Sequence, residues 1–191
     1  MVNRVLKGDW LVEDLKNNKN WLFNLEPKDR EDIANATKTS LSSGKKLYDI
    51  CYKDFPLNNL SSKFNKIQNQ LEGGLGFVLL RNLPVENFND EEVKFMLWGL
   101  GQYIGYPEVQ DKAGSLIHVV TDTGSSVNKT DNIRGFQTNE ELQFHTDGAD
   151  IFALLCIRNA KTGGLSKLVS SVAIFNEIEK TRPDLAQILQ N

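Results

Sequence analysis

The sequence predicts an α+β domain in which helices pack against a β-sandwich or barrel. Apolar residues at helical spacing dominate the chain up to residue 105, and short apolar runs typical of strands dominate residues 115–170. Helices and strands segregated in this order are typical of the class. With 191 residues, 40% of them hydrophobic, the chain is long enough for a substantial core, so we expect one domain over residues 1–191.

The first helices are predicted from apolar spacing and from residues that begin and end helices. One helix is expected from Lys28, because Pro27 precedes it and acidic residues occupy its first turn, and it should end at residues 42–44. A second has apolar residues at the i, i+4, i+7 and i+11 positions from Leu60 and should stop at Gly73. A short amphipathic turn is expected before them, over residues 10–15.

Three later helices follow from the same signals. Asn89 has the position of an N-cap, and Glu92 three residues later completes a capping box. Met96 in this helix is expected in the core, since core packing explains helical spacing more simply than a cofactor contact does. A helix over residues 172–178 and another that begins at Pro183 complete the prediction.

Apolar runs bounded by glycine, proline or polar residues predict the strands. Residues 75–83 and 151–157 should form buried strands. Shorter strands are expected at 21–25, 115–121 and 165–170. Residues 122–139, rich in Gly, Ser, Asn, Thr and Asp, predict a loop of a length that is usually functional, so we expect it to border the site as a lid.

Charge and hydropathy exclude several classes of function. The formal net charge is −3 and no basic block is present, so we expect no nucleic-acid partner. The apolar runs are too short to span a bilayer, and the acidic N-terminal region is not that of a signal peptide, so we expect no membrane partner. Cys51 and Cys156 belong to no paired motif, which predicts free thiols in a cytoplasmic protein. Composition leaves the oligomeric state open.

The chemistry is predicted at residues 142–150, where His145 and Asp147 stand two residues apart. In an extended segment the side chains at i and i+2 point to the same side, so an imidazole and a carboxylate can converge on one metal ion. Phe144 favours an extended segment, and Gly148 allows a bend after it. His-x-Asp is the first half of the 2-His-1-carboxylate triad of non-haem Fe(II) oxygenases. A histidine hydrogen-bonded to its neighbouring aspartate, without metal, is the alternative that the bare pair leaves open.

The motif His145-Thr146-Asp147, the apolar run 151–156 and the stretch 160–171 with its Gly-Gly-Leu-Ser sequence together resemble the taurine dioxygenase (TauD/TfdA) family. The resemblance is strongest over residues 132–190. It implies a partial double-stranded β-helix, the jelly roll of clavaminate synthase-like enzymes, with N-terminal helices packed on it. It also implies an Fe(II)- and 2-oxoglutarate-dependent dioxygenase. Such an enzyme uses O₂ to oxidise a small molecule, typically by hydroxylation, and decarboxylates 2-oxoglutarate to succinate.

The resemblance gives roles to three residues. His145 and Asp147 would be iron ligands, and Ser166 would give its hydroxyl to a 2-oxoglutarate carboxylate; a serine at a strand edge that faces water is the alternative for Ser166. Asp147 implies hydroxylation or another oxidation, because halogenating relatives lack this carboxylate. Relatives act on small, often anionic molecules. Polar residues of the loop could meet an anion or simply face solvent: Lys129, Arg134 and Asn139.

The sequence departs from the family pattern in its C-terminal part. The family's second histidine, and the arginine that pairs with the far 2-oxoglutarate carboxylate, lie downstream of the motif, whereas no histidine follows His145 here. The last jelly-roll strands are also missing, which would leave sheet edges unpaired. We expect the N-terminal part of a longer enzyme, because half a barrel should expose apolar surface. The alternative is a truncated or inactive relative that acts as a non-catalytic binding module.

Two other ligand sets are open at this point. His118 could replace the missing third ligand, although a hydrogen-bonded histidine within a strand is the simpler interpretation. A zinc site of His145, Asp147 and Cys156 is the other. Because Cys156 falls in an apolar run, we expect it instead to be a small buried hydrophobic residue.

Overall fold

The computed structural model of the protein describes residues 7–121 and 142–190. The predicted loop at 122–139, with Lys129, Arg134 and Asn139, lies wholly outside the described residues, so its role as a lid stays a prediction. The chain groups into two compact units: one consists of the chain up to Gly105 together with the chain from Leu155 onward, and the other is Tyr106–Leu154. The larger unit holds the helices and strands described below. A single domain over residues 1–191 stays a prediction.

Among the described residues the α-helices are α1 (Val12–Asn17), α2 (Pro27–Ser42), α3 (Ser61–Gly73), α4 (Asp90–Gly101), α5 (Ser171–Thr181) and α6 (Pro183–Leu189), and the strands are β1 (Leu22–Asn24) and β2 (Leu79–Arg81). Three short 3-10 helices, Leu47–Asp49, Tyr52–Asp54 and Val85–Asn87, lie between them. Every predicted helix is confirmed. The capping box is confirmed as well: the side chain of Asn89 accepts hydrogen bonds from the N–H groups of Glu91 and Glu92, and the Glu92 carboxylate accepts one from the N–H of Asn89. These bonds satisfy donors that the first turn of a helix leaves unpaired.

The core of the larger unit forms where α2 and α4 pack against each other. Ile33, Phe55 and Met96 are fully buried, which confirms the core position of Met96. The contact face of α2 also contains Thr37 and Ser40, whose buried hydroxyls donate to carbonyl oxygens of their own helix. Because these hydroxyls are satisfied locally, they can be buried without leaving an unpaired polar group.

The small sheet is parallel and much shorter than the sequence suggested. Leu22 is the partner of Leu79, and the described ladder spans three residues on each strand. The prediction of a buried strand over 75–83 is wrong in extent, and Leu79 is 40% exposed. Gly76 and Asn82 have φ angles of 81° and 68°, and these left-handed conformations end the extended run on both sides.

The predicted strands at 115–121, 151–157 and 165–170 are wrong for the structure described: none of these stretches is a strand there. Their apolar side chains include Leu154, 73% exposed, and Leu165, 86% exposed. A strand requires a neighbouring segment that accepts and donates its backbone hydrogen bonds. No such neighbour pairs with these stretches in the described part of the chain, so apolar character alone does not produce a sheet. The double-stranded β-helix therefore stays a prediction.

Candidate metal-binding site

His145 and Asp147 lie on an exposed stretch of the smaller unit. Nε2 of His145 is 3.9 Å from Oδ1 of Asp147, and the two side chains are 55% and 56% exposed. The backbone here belongs to no helix or strand, and the expected extended conformation stays a prediction. The structure nevertheless brings together the two side chains that the sequence singled out.

The ring orientation of His145 is set by a backbone carbonyl. Nδ1 lies 2.8 Å from the carbonyl oxygen of Gln143. Since a carbonyl oxygen can only accept, this hydrogen bond requires the proton on Nδ1, and in the neutral form of the ring Nε2 then carries the lone pair. A backbone carbonyl is one of the common partners of the second ring nitrogen in a metal-binding histidine. The nitrogen left available is the one that faces Asp147.

This pair fits a divalent metal ion that takes nitrogen and oxygen ligands. Bonds from imidazole nitrogen or carboxylate oxygen to such an ion are about 2 Å long, so the 3.9 Å separation of these two exposed atoms must shorten to about 3 Å before one ion holds them at neighbouring octahedral positions. The exposure of the pair leaves space for further ligands. Among the residues that the structure describes, no group of three or more His, Cys, Asp and Glu side chains could hold a metal ion. The described chain therefore offers two ligands.

His118 is engaged elsewhere in the smaller unit. Its Nε2 lies 3.5 Å from Oδ2 of Asp111. Oδ1 of Asp111 accepts hydrogen bonds from the N–H groups of Ser115 and Ala113, and the bonds from Ser115 are the main reason that the pKa of Asp111 is lowered. The contact with Asp111 is at an ion-pair distance rather than a hydrogen bond, and the surrounding backbone is not a strand, so the simpler interpretation of His118 is not confirmed.

Ser166 lies on an exposed, irregular stretch of the larger unit. It follows Gly163 and Gly164, whose φ angles of 77° and 70° are the left-handed conformations of a glycine turn. Of the alternative for Ser166, the exposure to water is confirmed, whereas the strand edge is wrong because no strand forms there. The contact of the Ser166 hydroxyl with 2-oxoglutarate stays a prediction.

Cys156 is exposed, so the expectation that it is a buried hydrophobic residue is wrong. Its stretch has no partner strand to cover it, and its thiol lies 3.4 Å from Oδ1 of Asn159 as a hydrogen-bond donor. The described side chains form no three-ligand group around Cys156. The structure thus gives the zinc alternative no support in the described residues.

Arg158 is an ion-pairing residue that the sequence did not reveal. One guanidinium nitrogen lies 2.9 Å from Oδ1 of Asp90, and another pairs with Oδ2 of the same carboxylate. The pair attaches the chain after residue 157 to the first turn of α4. Because the partners are 68 positions apart, no local pattern could have indicated it.

Comparison with known proteins places these features in a family. A family model described as taurine catabolism dioxygenase TauD, TfdA family matches residues 41–191. FR-33289 synthase of Streptomyces rubellomurinus is 30% identical over 176 residues, which cover 92% of this chain and 52% of the relative. The taurine hydroxylase-like protein SAT17 of Stachybotrys chartarum is 26% identical over 187 residues, 95% of this chain and 49% of the relative. The chain spans about half the length of the curated relatives it matches.

An exposed His-x-Asp pair with an oriented imidazole is compatible with the class of non-haem iron oxygenases. The chain belongs to the TauD/TfdA family, as the match over residues 41–191 shows. Members of this family are Fe(II)- and 2-oxoglutarate-dependent oxygenases. The resemblance inferred from the sequence is therefore confirmed.

Within the described ranges, no helix combines the length and the apolar character needed to cross a membrane.

Proposed function

We propose that this chain is part of an Fe(II)- and 2-oxoglutarate-dependent dioxygenase that hydroxylates a small, anionic molecule in the cytoplasm. The observation that carries the proposal is the facing pair of His145 Nε2 and Asp147 Oδ1, in a member of this family. The name of the taurine hydroxylase-like relative supports hydroxylation of a small molecule. The carboxylate of Asp147 favours hydroxylation over halogenation.

The residues of this chain have distinct roles in the proposal. His145 binds iron through Nε2 while the carbonyl of Gln143 holds its ring in place. Asp147 contributes a carboxylate oxygen and one negative charge. Ser166 donates its hydroxyl to a carboxylate of 2-oxoglutarate. When bound, iron and 2-oxoglutarate supply the oxidation of a substrate C–H bond by O₂ with release of succinate and CO₂, while the protein orients the substrate.

We also propose that further polypeptide completes the site and the sheet. The described chain offers two metal ligands, and the sequence has no histidine after His145. Large apolar side chains near His145, Asp147 and Ser166 in the sequence are exposed: Leu142, Phe144, Phe152, Leu154, Leu165 and Leu168. An incomplete sheet exposes apolar surface of this kind.

The second candidate function is a non-catalytic binding module. It is favoured by the two-ligand set, because the family's triad requires a third protein ligand. The two candidate functions differ in whether the protein consumes 2-oxoglutarate. A module would bind its partner without consuming 2-oxoglutarate.

The test is release of CO₂ from 2-oxoglutarate labelled at C1, in the presence of Fe(II) and O₂. It is applied to the 191-residue chain and to the product of the reading frame that contains it in the source gene. We expect the reading-frame product to turn over 2-oxoglutarate, His145→Ala to abolish turnover, and His118→Ala to retain it. A stop codon directly after Asn191, together with no turnover by the chain, would support the binding module instead.

A further inference from the structure

Residues 8–10, here called the N-terminal strap, run along the start of α5. The hydroxyl of Ser170 donates a hydrogen bond of 2.6 Å to the carbonyl oxygen of Gly8 and accepts one of 2.9 Å from the N–H of Ala173. Ser170 is the N-cap of α5 and is buried. The same hydroxyl therefore caps the helix and attaches it to a residue 162 positions earlier.

A second bond of the strap lies further along the same helix. Nδ2 of Asn176 donates a hydrogen bond of 2.8 Å to Oδ2 of Asp9. Gly8 has a φ of 84°, a left-handed conformation that favours glycine and turns the chain so that neighbouring positions reach the helix. The strap thus holds α5 at its cap and again at Asn176.

Trp10, at the C-terminal end of the strap, makes its contacts next to the small sheet. The indole of Trp10 is buried and donates a hydrogen bond of 2.8 Å to the carbonyl oxygen of Leu75. Its ring centroid lies 5.2 Å from that of Phe77, which in turn is 5.6 Å from the ring of Trp21. Tilted aromatic pairs at these distances are favourable contacts. Trp10 therefore anchors the strap beside β1 and β2.

None of the residues of α5 is buried, so its bonds to the strap add to its packing against α6. We propose that the N-terminal strap is a positioning element for the stretch that carries Ser166. Ser170 follows Ser166 by four residues, and the stretch between Gly164 and Ser170 is irregular. Fixing Ser170 fixes the C-terminal end of that stretch. The strap precedes residue 41, where the family match begins, so the family model does not account for it.

A charge-swap pair tests the strap. In Asn176→Asp, a carboxylate faces the carboxylate of Asp9, and the hydrogen bond is replaced by repulsion. In the double variant Asp9→Asn/Asn176→Asp, the amide introduced at position 9 can donate to the carboxylate introduced at position 176, which restores the bond with donor and acceptor exchanged. Amide hydrogen exchange of residues 166–178 reports local opening. The amides of α4 are the internal reference.

We expect exchange of residues 166–178 to accelerate roughly threefold to tenfold in Asn176→Asp, as for loss of one hydrogen bond, and to return to the wild-type rate in the double variant. The rates in α4 should stay constant. Unchanged exchange in Asn176→Asp, or no recovery in the double variant, would overturn the proposal. Because this measurement needs no ligand, it tests the strap independently of the proposed function.

The consequence for the co-substrate rests on the proposed function. We expect the affinity of the Mn(II)-loaded reading-frame product for 2-oxoglutarate to fall in Asn176→Asp by a factor similar to the change in exchange, and to recover in the double variant. An affinity that stays constant while exchange changes would contradict a positioning role. If the wild-type product of the reading frame that contains this chain binds no 2-oxoglutarate, the proposed function of Ser166 fails, while the exchange result still decides on the strap.

Discussion

Arg158 and Asp90 form a two-point ion pair between the chain after residue 157 and the first turn of α4. The hydrogen bonds from Arg158 are the main cause that lowers the pKa of Asp90 below its usual value of 3.8. Asp90 also lies in the first turn of α4, where a negative charge is favoured by the helix dipole. A planar guanidinium can engage both carboxylate oxygens, which an ammonium cannot do.

Arg158→Lys should raise the pKa of Asp90 toward its usual value, because the two-point contact is lost. In the wild type, the stability from this pair is present above about pH 4 and is lost as the pH falls through the lowered pKa. NMR titration of the Asp90 side-chain carboxyl measures the shift. Arg182→Lys, which alters the local pair with Asp184, is the matched control and should leave the pKa of Asp90 unchanged. An Asp90 pKa that is the same in Arg158→Lys and the wild type would contradict this assignment.

Asp54 provides a second acid-sensitive contact. The hydrogen bond from Lys45, followed by those from Cys51, lowers the pKa of Asp54 from 3.8 to about 2. Because the folded-state pKa is depressed, its contribution to stability is present above about pH 4 and disappears as the pH falls through about 2. Lys45→Met should raise this pKa and reduce the loss of stability between those pH values. Titration of the Asp54 carboxyl tests the change in pKa, and acid unfolding at fixed salt tests the change in stability. Identical acid unfolding of the wild type and Lys45→Met would refute the prediction.

Two glycines of α4 should respond oppositely to alanine. A Cβ atom at Gly99 would overlap the ring of Phe55, which is fully buried, whereas one at Gly101 would meet nothing within 4 Å. Overpacking of this kind costs about 1–3 kcal/mol. Gly101→Ala should be neutral or stabilise slightly, since alanine is the better helix former. Urea unfolding of both variants checks the prediction, and equal midpoints would show that the ring can move aside.

The capping box of α4 permits a matched pair of substitutions. Asn89→Ala removes the acceptor for two N–H groups and should lower the free energy of unfolding by about 1 kcal/mol. Asn89→Asp keeps an acceptor and a negative charge at the helix start, so its stability should stay near that of the wild type. Thermal and urea unfolding measure both. Equal losses in the two variants would mean that the side-chain cap is not the source of the effect.

The helices were predictable because their signals are local. Asn89 and Glu92 lie three positions apart, and Pro27 and Pro183 begin helices through their own backbone geometry. These interactions are complete within one or two turns. A sequence pattern is therefore sufficient to indicate them.

The strand predictions were wrong for the opposite reason, because what makes a segment a strand is not local. An apolar run such as 151–157 becomes a strand only when another segment pairs with it, and that partner is not encoded in the run itself. Leu154 consequently remains exposed, as does Cys156. The sequence was sufficient to single out His145 and Asp147 as a pair. The structure was needed to find the carbonyl of Gln143 that orients the ring and the pairing of Arg158 with Asp90.

The most direct test of the central claim is Mn(II) titration of the ¹⁵N-labelled chain, followed by paramagnetic broadening of its amide signals. Mn(II) takes nitrogen and oxygen ligands and reports its location without turnover. We predict broadening centred on residues 143–149 that disappears in His145→Ala and in Asp147→Ala and persists in His118→Ala. Broadening that survives both site variants, or that centres on His118 and Asp111, would contradict a metal site at His145 and Asp147.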